Sequence, residues 1–285
     1  MTNTPAQTPA TGTSQLITSK ATQSEDHNRG LQLGLATIVS FADVTPELAR
    51  VVMRIPDLAA EPLWGAPNVA IRFYLDERFE SATRVYTVRS ADAAAGTIEV
   101  DVVKHGETSP MMQWIDTLRV GDTVRFGGPR PHFTIPQTRG RDAVLFADAT
   151  SIPALYAILE QANPSLSGRG WIATDDEAAF AELPVFPGLT LTRVSPGTGF
   201  VDQLATLRDP AAVVVWGAGE RDEMRAIRSF FRNDAGLAKD DVAVYGYWKR
   251  GTTNTQIDEK RVAAYEAALA GGGSLADLDD LALAI

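Results

Sequence analysis

The segment Arg84-Val-Tyr-Thr-Val-Arg89 brings a cation, an aromatic ring and a hydroxyl together within four residues. Side chains alternate between the two faces of a β-strand, so Arg84 and Tyr86 share one face while Thr87 lies on the other. A guanidinium pairs with phosphate, a tyrosine ring stacks on a planar ring system, and a threonine hydroxyl bonds to polar ring edges. The segment therefore favours a flavin nucleotide as ligand. A solvated edge strand, which often carries Arg and Tyr, is the alternative.

The sequence around this segment, from about residue 31 to residue 133, has the pattern of half-buried strands. Apolar residues alternate with others in three runs, 50–55, 69–75 and 98–103. Turn-forming pairs such as Thr45-Pro46 and Ala95-Gly96 separate the runs. Several short strands divided in this way predict an antiparallel β-barrel.

One helix interrupts this β pattern. Ser109 is a favourable N-cap, and Pro110 fits the first helical position. One apolar face follows with helical spacing, at Met111, Trp114, Ile115 and Leu118. The free N–H groups of the first turn suit a pyrophosphate. A helix that only plugs the end of the barrel would have the same pattern.

After residue 140 the pattern changes to strands that alternate with helices. The predicted strands are 143–147, 171–173, 189–194, 212–216 and 242–247. The predicted helices are 151–161, 175–181, 200–207 and 220–233. This order predicts a doubly wound parallel sheet, which binds ligands beyond the carboxyl ends of its strands.

The chain thus divides into four predicted parts. Residues 1–28 are polar and are predicted to form a disordered tail. The barrel is placed at 29–138, the α/β domain at 139–250, and a helical extension, with a helix at 256–270, at 251–285.

Composition narrows the classes of function. The formal net charge of −10, with no basic block to offset it, argues against nucleic acid as a partner. Cysteine is absent and there are three histidines, so neither thiol chemistry nor a protein-ligated metal centre is expected. No apolar run approaches the roughly 18 residues of a membrane span. The amino terminus lacks a secretory pattern, so the cytoplasm is the expected location.

Six further segments accompany Arg84–Arg89 in a fixed order. They are Val103-Lys-His-Gly106, Pro110-Met-Met-Gln-Trp114, Gly128-Pro-Arg130, Asp148-Ala-Thr-Ser-Ile-Pro153, Trp216-Gly-Ala-Gly-Glu220 and Gly246-Tyr-Trp-Lys-Arg-Gly251. With them the chain resembles the siderophore-interacting protein family, FAD-dependent ferric-siderophore reductases of the ferredoxin-reductase class. It departs from the family pattern at four places, Ser109, Pro131-His132, Ala147 and Ala149.

The resemblance implies roles for individual residues. Those implied to surround FAD, several through the backbone, are Arg84, Tyr86, Thr87, Val88, Val103, His105, Gly106, Ser109, Met111, Met112 and Thr150. Those implied for an anionic ferric chelate are Arg72, Arg130, Trp248 and one of Lys249 or Arg250. A nicotinamide nucleotide would meet Gly217, Ala218, Gly219 and Glu220, although this is not a full Gly-x-Gly-x-x-Gly fingerprint.

Five of these residues also have an ordinary structural explanation. His105 fits a turn, Met111 and Met112 fit a core, Arg72 fits a solvated strand face, and Trp248 fits a buried strand end.

The expected function is reduction of a ferric siderophore to release Fe(II), with electrons from NADH, NADPH or reduced ferredoxin. A flavin suits this reaction because it links hydride transfer to one-electron transfer. Hard oxygen ligands favour Fe(III), so reduction loosens the iron without any protein ligand to it. Two alternatives stay open: a flavin-dependent reductase for another acceptor, and a non-catalytic protein that binds flavin or siderophore.

Overall fold

The computed structural model describes residues 32–104 and 109–252. Six antiparallel strands of this part of the chain form a closed barrel with the neighbour order β1-β2-β5-β4-β3-β6. They are β1 (Gln32–Thr45), β2 (Leu48–Arg54), β3 (Val69–Tyr74), β4 (Thr83–Asp92), β5 (Thr97–Val103) and β6 (Thr123–Pro131). The predicted barrel is confirmed, whereas the predicted tail 1–28 and helix 256–270 lie outside the described residues.

The barrel core follows the predicted alternation. In β2, Val51 and Met53 are buried while Arg54 is exposed. In β3, Ile71 and Phe73 are fully buried and Arg72 is half-buried on the outer face. The two faces arise because the strand period of two matches the apolar pattern, which drives one face into the barrel.

The predicted helix is present as α1 (Pro110–Thr117), and its apolar residues join the barrel core. Ser109 is its N-cap, and the Ser109 Oγ accepts a hydrogen bond from the Met112 N–H at 3.3 Å. The Trp114 ring packs against Phe73, with 5.9 Å between ring centroids. The helix is therefore held by its apolar face and by a cap that satisfies one of its free N–H groups.

The second half is a five-stranded parallel sheet with the order β11-β10-β7-β8-β9. Its elements are β7 (Asp142–Asp148), α2 (Ile152–Glu160), β8 (Ser167–Ala173), α3 (Glu177–Ala181), β9 (Gly188–Val194), α4 (Val201–Leu204), β10 (Val213–Glu220), α5 (Arg221–Ser229) and β11 (Val242–Trp248). The predicted strand and helix order is confirmed. None of the helices in the described ranges is long and apolar enough to cross a membrane.

Several boundaries differ from the sequence prediction. Strand β10 continues to Glu220 because Gly217 to Glu220 pair with neighbouring strands instead of forming a turn. Helix α5 accordingly begins at Arg221, and a π-helical turn, Phe230–Asp234, completes it. Helix α4 is shorter than predicted: it ends at Leu204, with Ala205 as its C-cap, and not at residue 207.

Two arginines of the barrel bind two carboxylates where the barrel meets the α/β domain. The Arg50 Nε atom lies 2.7 Å from Asp101 Oδ1, and its Nη2 atom lies 2.7 Å from Glu182 Oε2. Arg89 reaches the same carboxylates at 3.1 and 2.9 Å. Its Cζ atom also lies 3.4 Å from the centre of the Tyr156 ring in α2. Glu182 directly follows α3, so this cluster joins the two domains.

The segment after β6 joins the domains a second time. The Phe133 carbonyl accepts a hydrogen bond from Asn68 Nδ2 of the barrel at 2.6 Å and from Trp216 Nε1 of β10 at 3.1 Å. The Phe133 ring stacks on Tyr245 of β11, with centroids 4.0 Å apart and an interplanar angle of 8°. Phe133 thus holds the chain after β6 against β10 and β11.

Candidate functional site

The inner face of β4 and the start of α1 meet at one end of the barrel. Phe73 links them, because its ring lies 5.5 Å from Tyr86 and 5.9 Å from Trp114. Arg84 pairs with Phe73 across the strands and donates from Nη1 to the Thr83 carbonyl at 2.7 Å. Burial raises the pKa of Tyr86, so its phenol stays protonated at neutral pH.

The first turn of α1 supplies backbone donors. Met111 and Met112 are 2% and 8% exposed, so their side chains belong to the barrel core. Their backbone N–H groups lie in the first turn, where no intrahelical acceptor exists, and the Ser109 hydroxyl satisfies only that of Met112. A cation and an aromatic ring on β4, with a helix N-terminus joined to them through Phe73 and Trp114, are groups that suit the phosphate and ring of FAD.

The other residues implied for FAD lie in different surroundings. Val88 is buried in the barrel core, and Thr87 lies on the outer face of β4 opposite Ala70. Val103 ends β5 and packs against the core of the α/β domain. His105 and Gly106 lie outside the described residues.

The structure brings Arg72 and Arg130 together on the outer face of the barrel. Arg130 is paired with Ala70, and Arg72 with Gly127, in the ladder between β3 and β6. Burial, and then the nearby Arg72 cation, lower the pKa of Arg130. Two guanidiniums held this close make a favourable place for an anion. Since β3 also pairs with β4, the place adjoins the strand of Tyr86.

His132 and Tyr247 close the space between Arg130 and the α/β domain. Their rings meet edge to face, with centroids 6.4 Å apart. Burial, followed by the charge of Arg130, lowers the pKa of His132 to about 4, so the imidazole is neutral at pH 7. Burial raises the pKa of Tyr247 to about 12. The sequence analysis noted Pro131-His132 as a departure from the family pattern after Arg130, and it included neither His132 nor Tyr247 among the site residues.

Asp148 ties together the carboxyl ends of β7 and β11. Its Oδ2 accepts from Trp248 Nε1 at 2.6 Å, and its Oδ1 accepts from the Thr150 N–H and hydroxyl at 3.0 and 2.6 Å. Burial raises the pKa of Asp148, although these donors work in the opposite direction. Trp248 is therefore oriented by a carboxylate of β7, which β10 separates from β11 in the sheet, and the Thr150 hydroxyl already donates to the same carboxylate.

The predicted nicotinamide residues form the end of β10. Gly217 and Ala218 pair with β7 and β11, and Ser151 Oγ donates to the Ala218 carbonyl at 2.7 Å. Gly219 has a φ of +157°, and a Cβ there would lie 2.6 Å from Asp148 Oδ2. Only glycine fits beside that carboxylate. The need for these glycines thus arises from the packing of the sheet.

Glu220 occupies the helix N-terminus that follows. Its Oε2 accepts from the N–H groups of Asp222 and Glu223 at 2.7 and 3.1 Å, and its Oε1 accepts from the Arg250 N–H at 3.1 Å. Burial and the charges of Glu220 and Asp148 raise the pKa of Glu223, and Arg250 opposes them. This edge of the sheet is therefore acidic, and Arg250 lies near its carboxylates.

The candidate residues thus form two groups. The barrel group holds Arg84, Tyr86 and the α1 backbone, with Arg72 and Arg130 on the adjacent outer face. The α/β group holds Trp248 on Asp148, with Lys249 and the exposed Arg250 following β11. Within residues 32–104 and 109–252, no cluster of three or more His, Asp or Glu side chains is placed to hold a metal ion.

A closed barrel followed by a parallel α/β sheet defines the ferredoxin-reductase class of flavoprotein folds. The cytochrome P450 reductase GcoB of Amycolatopsis has this fold, with a TM-score of 0.60, 19% identity, and coverage of 76% of this chain and 70% of that chain. Residues 66–133 match the model of the siderophore-interacting FAD-binding domain, and residues 140–251 match that of the siderophore-interacting protein.

Ferric acinetobactin reductase of Acinetobacter baumannii is 35% identical over 268 residues, which are 91% of this chain and 93% of that protein. A solved siderophore-interacting protein of that genus superposes with a TM-score of 0.77 at 34% identity, covering 84% of this chain and 99% of that chain. Ferric vibriobactin reductase ViuB of Vibrio cholerae is 26% identical over 189 residues, 62% of this chain and 68% of that protein. The chain belongs to the siderophore-interacting protein family.

Proposed function

We propose that this protein is an FAD-dependent reductase that reduces a ferric siderophore and thereby releases Fe(II). The observation that carries the proposal is the Arg72–Arg130 pair on a strand face next to the flavin strand, in a chain of net charge −10. An acidic protein repels anions in general, so a local pair of cations selects where an anionic chelate binds.

The residues divide the work between cofactor and substrate. Arg84 and the N-terminus of α1 bind the phosphates of FAD, and Tyr86 provides an aromatic surface for its ring system. Arg72 and Arg130 hold the chelate through its charged oxygens. His132 is neutral, so it contacts the chelate without adding positive charge. FAD, when bound, supplies the exchange between a two-electron donor and the one-electron reduction of iron.

The donor of electrons is NADH, NADPH or reduced ferredoxin, and the carboxylates at the edge of the α/β sheet bear on the choice between a nucleotide and a protein donor. Helix α5 and the turn before α2 begin at this edge, and both are capped by buried carboxylates of the chain itself, Glu220 and Asp148. A pyrophosphate would have to displace these carboxylates or bind beside them, at an electrostatic cost. A protein donor that delivers one electron at a time does not need either helix N-terminus.

The proposed reaction takes place in the cytoplasm, where low-potential electron donors are available. Cell fractionation with an antibody to the protein tests this location. Recovery of the protein with the membrane or periplasmic fraction would contradict it.

Anaerobic mixing of the FAD-loaded protein with NADH, NADPH or reduced ferredoxin tests the activity. At least one donor should bleach the flavin absorbance. Subsequent addition of a ferric siderophore, with a chelator specific for Fe(II), should restore the absorbance and give one Fe(II) complex per electron transferred. The same protein without FAD is the control.

Two other outcomes would support the alternative functions. If a quinone or a protein acceptor restored the absorbance and ferric siderophores did not, the protein would be a reductase for another acceptor. If no donor bleached the flavin while a ferric siderophore still bound, the protein would be a non-catalytic carrier.

A further inference from the structure

An apolar surface continues from Arg72 across the outside of the barrel. Residues that face outward on β1, β6 and β3 form two rows across the three strands. One row contains Leu33, Gly127 and Arg72, and the other contains Leu35, Arg125 and Tyr74. Directly paired residues on one face lie about 5 Å apart, so both rows are continuous surfaces.

The two leucines are unusually exposed for their size. Leu33 is 60% exposed and Leu35 is 52% exposed. A single exposed leucine needs no explanation, because much of any protein surface is apolar. Two on the same face, next to an aromatic ring and guanidinium groups, form a patch of the kind that marks a binding surface.

Because Gly127 has no side chain, the side chains of neighbouring strands can cover its backbone. A Cβ at Gly127 would lie 3.2 Å from Leu33 Cδ2, 3.2 Å from Tyr74 Oη and 3.4 Å from Tyr74 Cε2. The Leu33 and Tyr74 side chains therefore lean toward each other above the backbone of Gly127. Its φ lies outside the left-handed region, so the glycine is required by space and not by the backbone.

The charge around this surface indicates what binds there. Arg72 and Arg125 lie in the two rows, and Arg130 is close enough to Tyr74 for the phenol to influence its pKa. Guanidinium groups stack on aromatic rings and pair with anionic oxygens, and leucine and tyrosine side chains also pack on rings. A ligand that combines negative charge with a flat aromatic ring matches all of these groups.

We propose that Leu33, Tyr74 and Gly127, which we call the outer shelf, form a subsite for an aryl arm of a ferric siderophore. The inference rests on the proposed function, because it takes the chelate held by Arg72 and Arg130 as its starting point. Bound in this way, the charged oxygens around the iron meet the guanidiniums, and a catecholate or phenolate ring lies on the shelf. The chain would then favour aryl-bearing chelates over aliphatic ones.

The test compares two anionic iron complexes, the tris-catecholate of Fe(III) and ferric citrate, as substrates of the full-length FAD-loaded protein. The variants are Leu33→Ser, which removes apolar area, and Tyr74→Leu, which removes the ring but keeps apolar volume. Val120→Ser is the control, because Val120 is 66% exposed and lies in the turn between α1 and β6.

Each shelf variant should raise the KM for the catecholate complex about fivefold, since the apolar area lost corresponds to part of one side chain. The kcat for that complex and the KM for ferric citrate should stay within about twofold of wild type. The control should match wild type for both complexes. An equal change for the two complexes, or no change for either, would overturn the outer shelf as an aryl subsite.

Binding of the redox-inactive Ga(III) tris-catecholate separates this inference from the proposed function. Its Kd, measured by quenching of protein or flavin fluorescence, should rise about fivefold in the two shelf variants. If this shift occurs in a protein that reduces no ferric complex, the subsite stands and the reductase function fails. If the protein reduces ferric complexes without any shift, the reductase function stands and the subsite fails.

Discussion

Replacing Glu182 by glutamine removes the carboxylate that binds two barrel arginines from the side of the α/β domain. Arg50 donates to it from Nη2 at 2.7 Å and from Nη1 at 3.3 Å, and Arg89 approaches it at 2.9 Å. Hydrogen bonds between charged groups contribute about 1.5–3 kcal/mol each, and partial exposure of the carboxylate (30%) reduces this through solvent screening. Since Asp101 still pairs with both arginines, we expect a loss of about 2 kcal/mol, which corresponds to a Tm lower by about 4–8 °C.

The loss should depend on pH in a defined direction. Burial alone would raise the pKa of Glu182, but Arg50 and Arg89 outweigh it and hold the pKa below its usual value of 4.5. A carboxyl group with a lowered pKa in the folded state stabilises that state above its unfolded pKa, and the contribution disappears as the pH falls through the folded pKa. The difference in Tm between wild type and Glu182→Gln should therefore be largest at pH 6–8 and shrink below about pH 4.

Thermal unfolding of the FAD-loaded protein, followed by circular dichroism over this pH range, measures the effect. Glu177→Gln is a matched control, because Glu177 lies in the adjacent α3, is 84% exposed and is 3.7 Å from its partner Arg193. The control should change the Tm by less than about 1 °C, as is usual for an exposed ion pair. Equal losses in the two variants, or a loss from Glu182→Gln that does not vary with pH, would refute the role given to the buried arginines.

Three further changes test the site directly. Arg130→Gln should raise the KM for an anionic ferric chelate about tenfold in steady-state assays, because one cation of the pair is lost, while the FAD content stays the same. The control is Arg54→Gln, since Arg54 is exposed. Equal effects of the two substitutions on the KM would contradict the role of Arg130. The Tyr86→Ala protein should lose FAD on gel filtration while the Tyr86→Phe protein retains it, since the ring and not the hydroxyl is inferred to contact the flavin. Equal FAD retention by the two variants, measured by flavin absorbance, would count against this role. Asp148→Asn should lower the free energy of unfolding by about 1–3 kcal/mol, because the indole N–H of Trp248 loses its carboxylate partner. The near-ultraviolet circular dichroism of Trp248 should change as well. An unchanged spectrum would contradict the inference that Asp148 orients the Trp248 ring.

Strand β4 indicates how far a sequence can predict such a site. The alternation of its residues correctly placed Arg84 and Tyr86 on one face and Thr87 on the other, because strand periodicity is a local property. It assigned Arg89 to the face of Thr87 but did not predict its partners Asp101 and Glu182, which are 12 and 93 positions away in the sequence. Ion pairs between domains depend on how the domains pack, which no local pattern contains.

The end of β10 shows a different limit of the sequence. Gly217 and Gly219 follow an apolar strand and precede a predicted helix, and the resemblance implied that a nicotinamide nucleotide meets them. In the fold, Gly217 and Gly219 pair with β11, and Gly219 makes room for the carboxylate of Asp148. Glycine is required at position 219 because of a contact with residue 148, about 70 positions earlier, which could be found only once the sheet order was known.

The position of β4 explains why one strand matters to every part of the proposed reaction. Its inner face carries Arg84 and Tyr86 toward the start of α1, where the cofactor is inferred to bind. Its neighbour β3 carries Arg72, so the place for the chelate adjoins the same strand. Its far end carries Arg89, which binds Glu182 and stacks on Tyr156 of the other domain. A shift of β4 would therefore move the cofactor, the chelate and the α/β domain relative to one another, and the buried ion cluster at Arg89 opposes that shift.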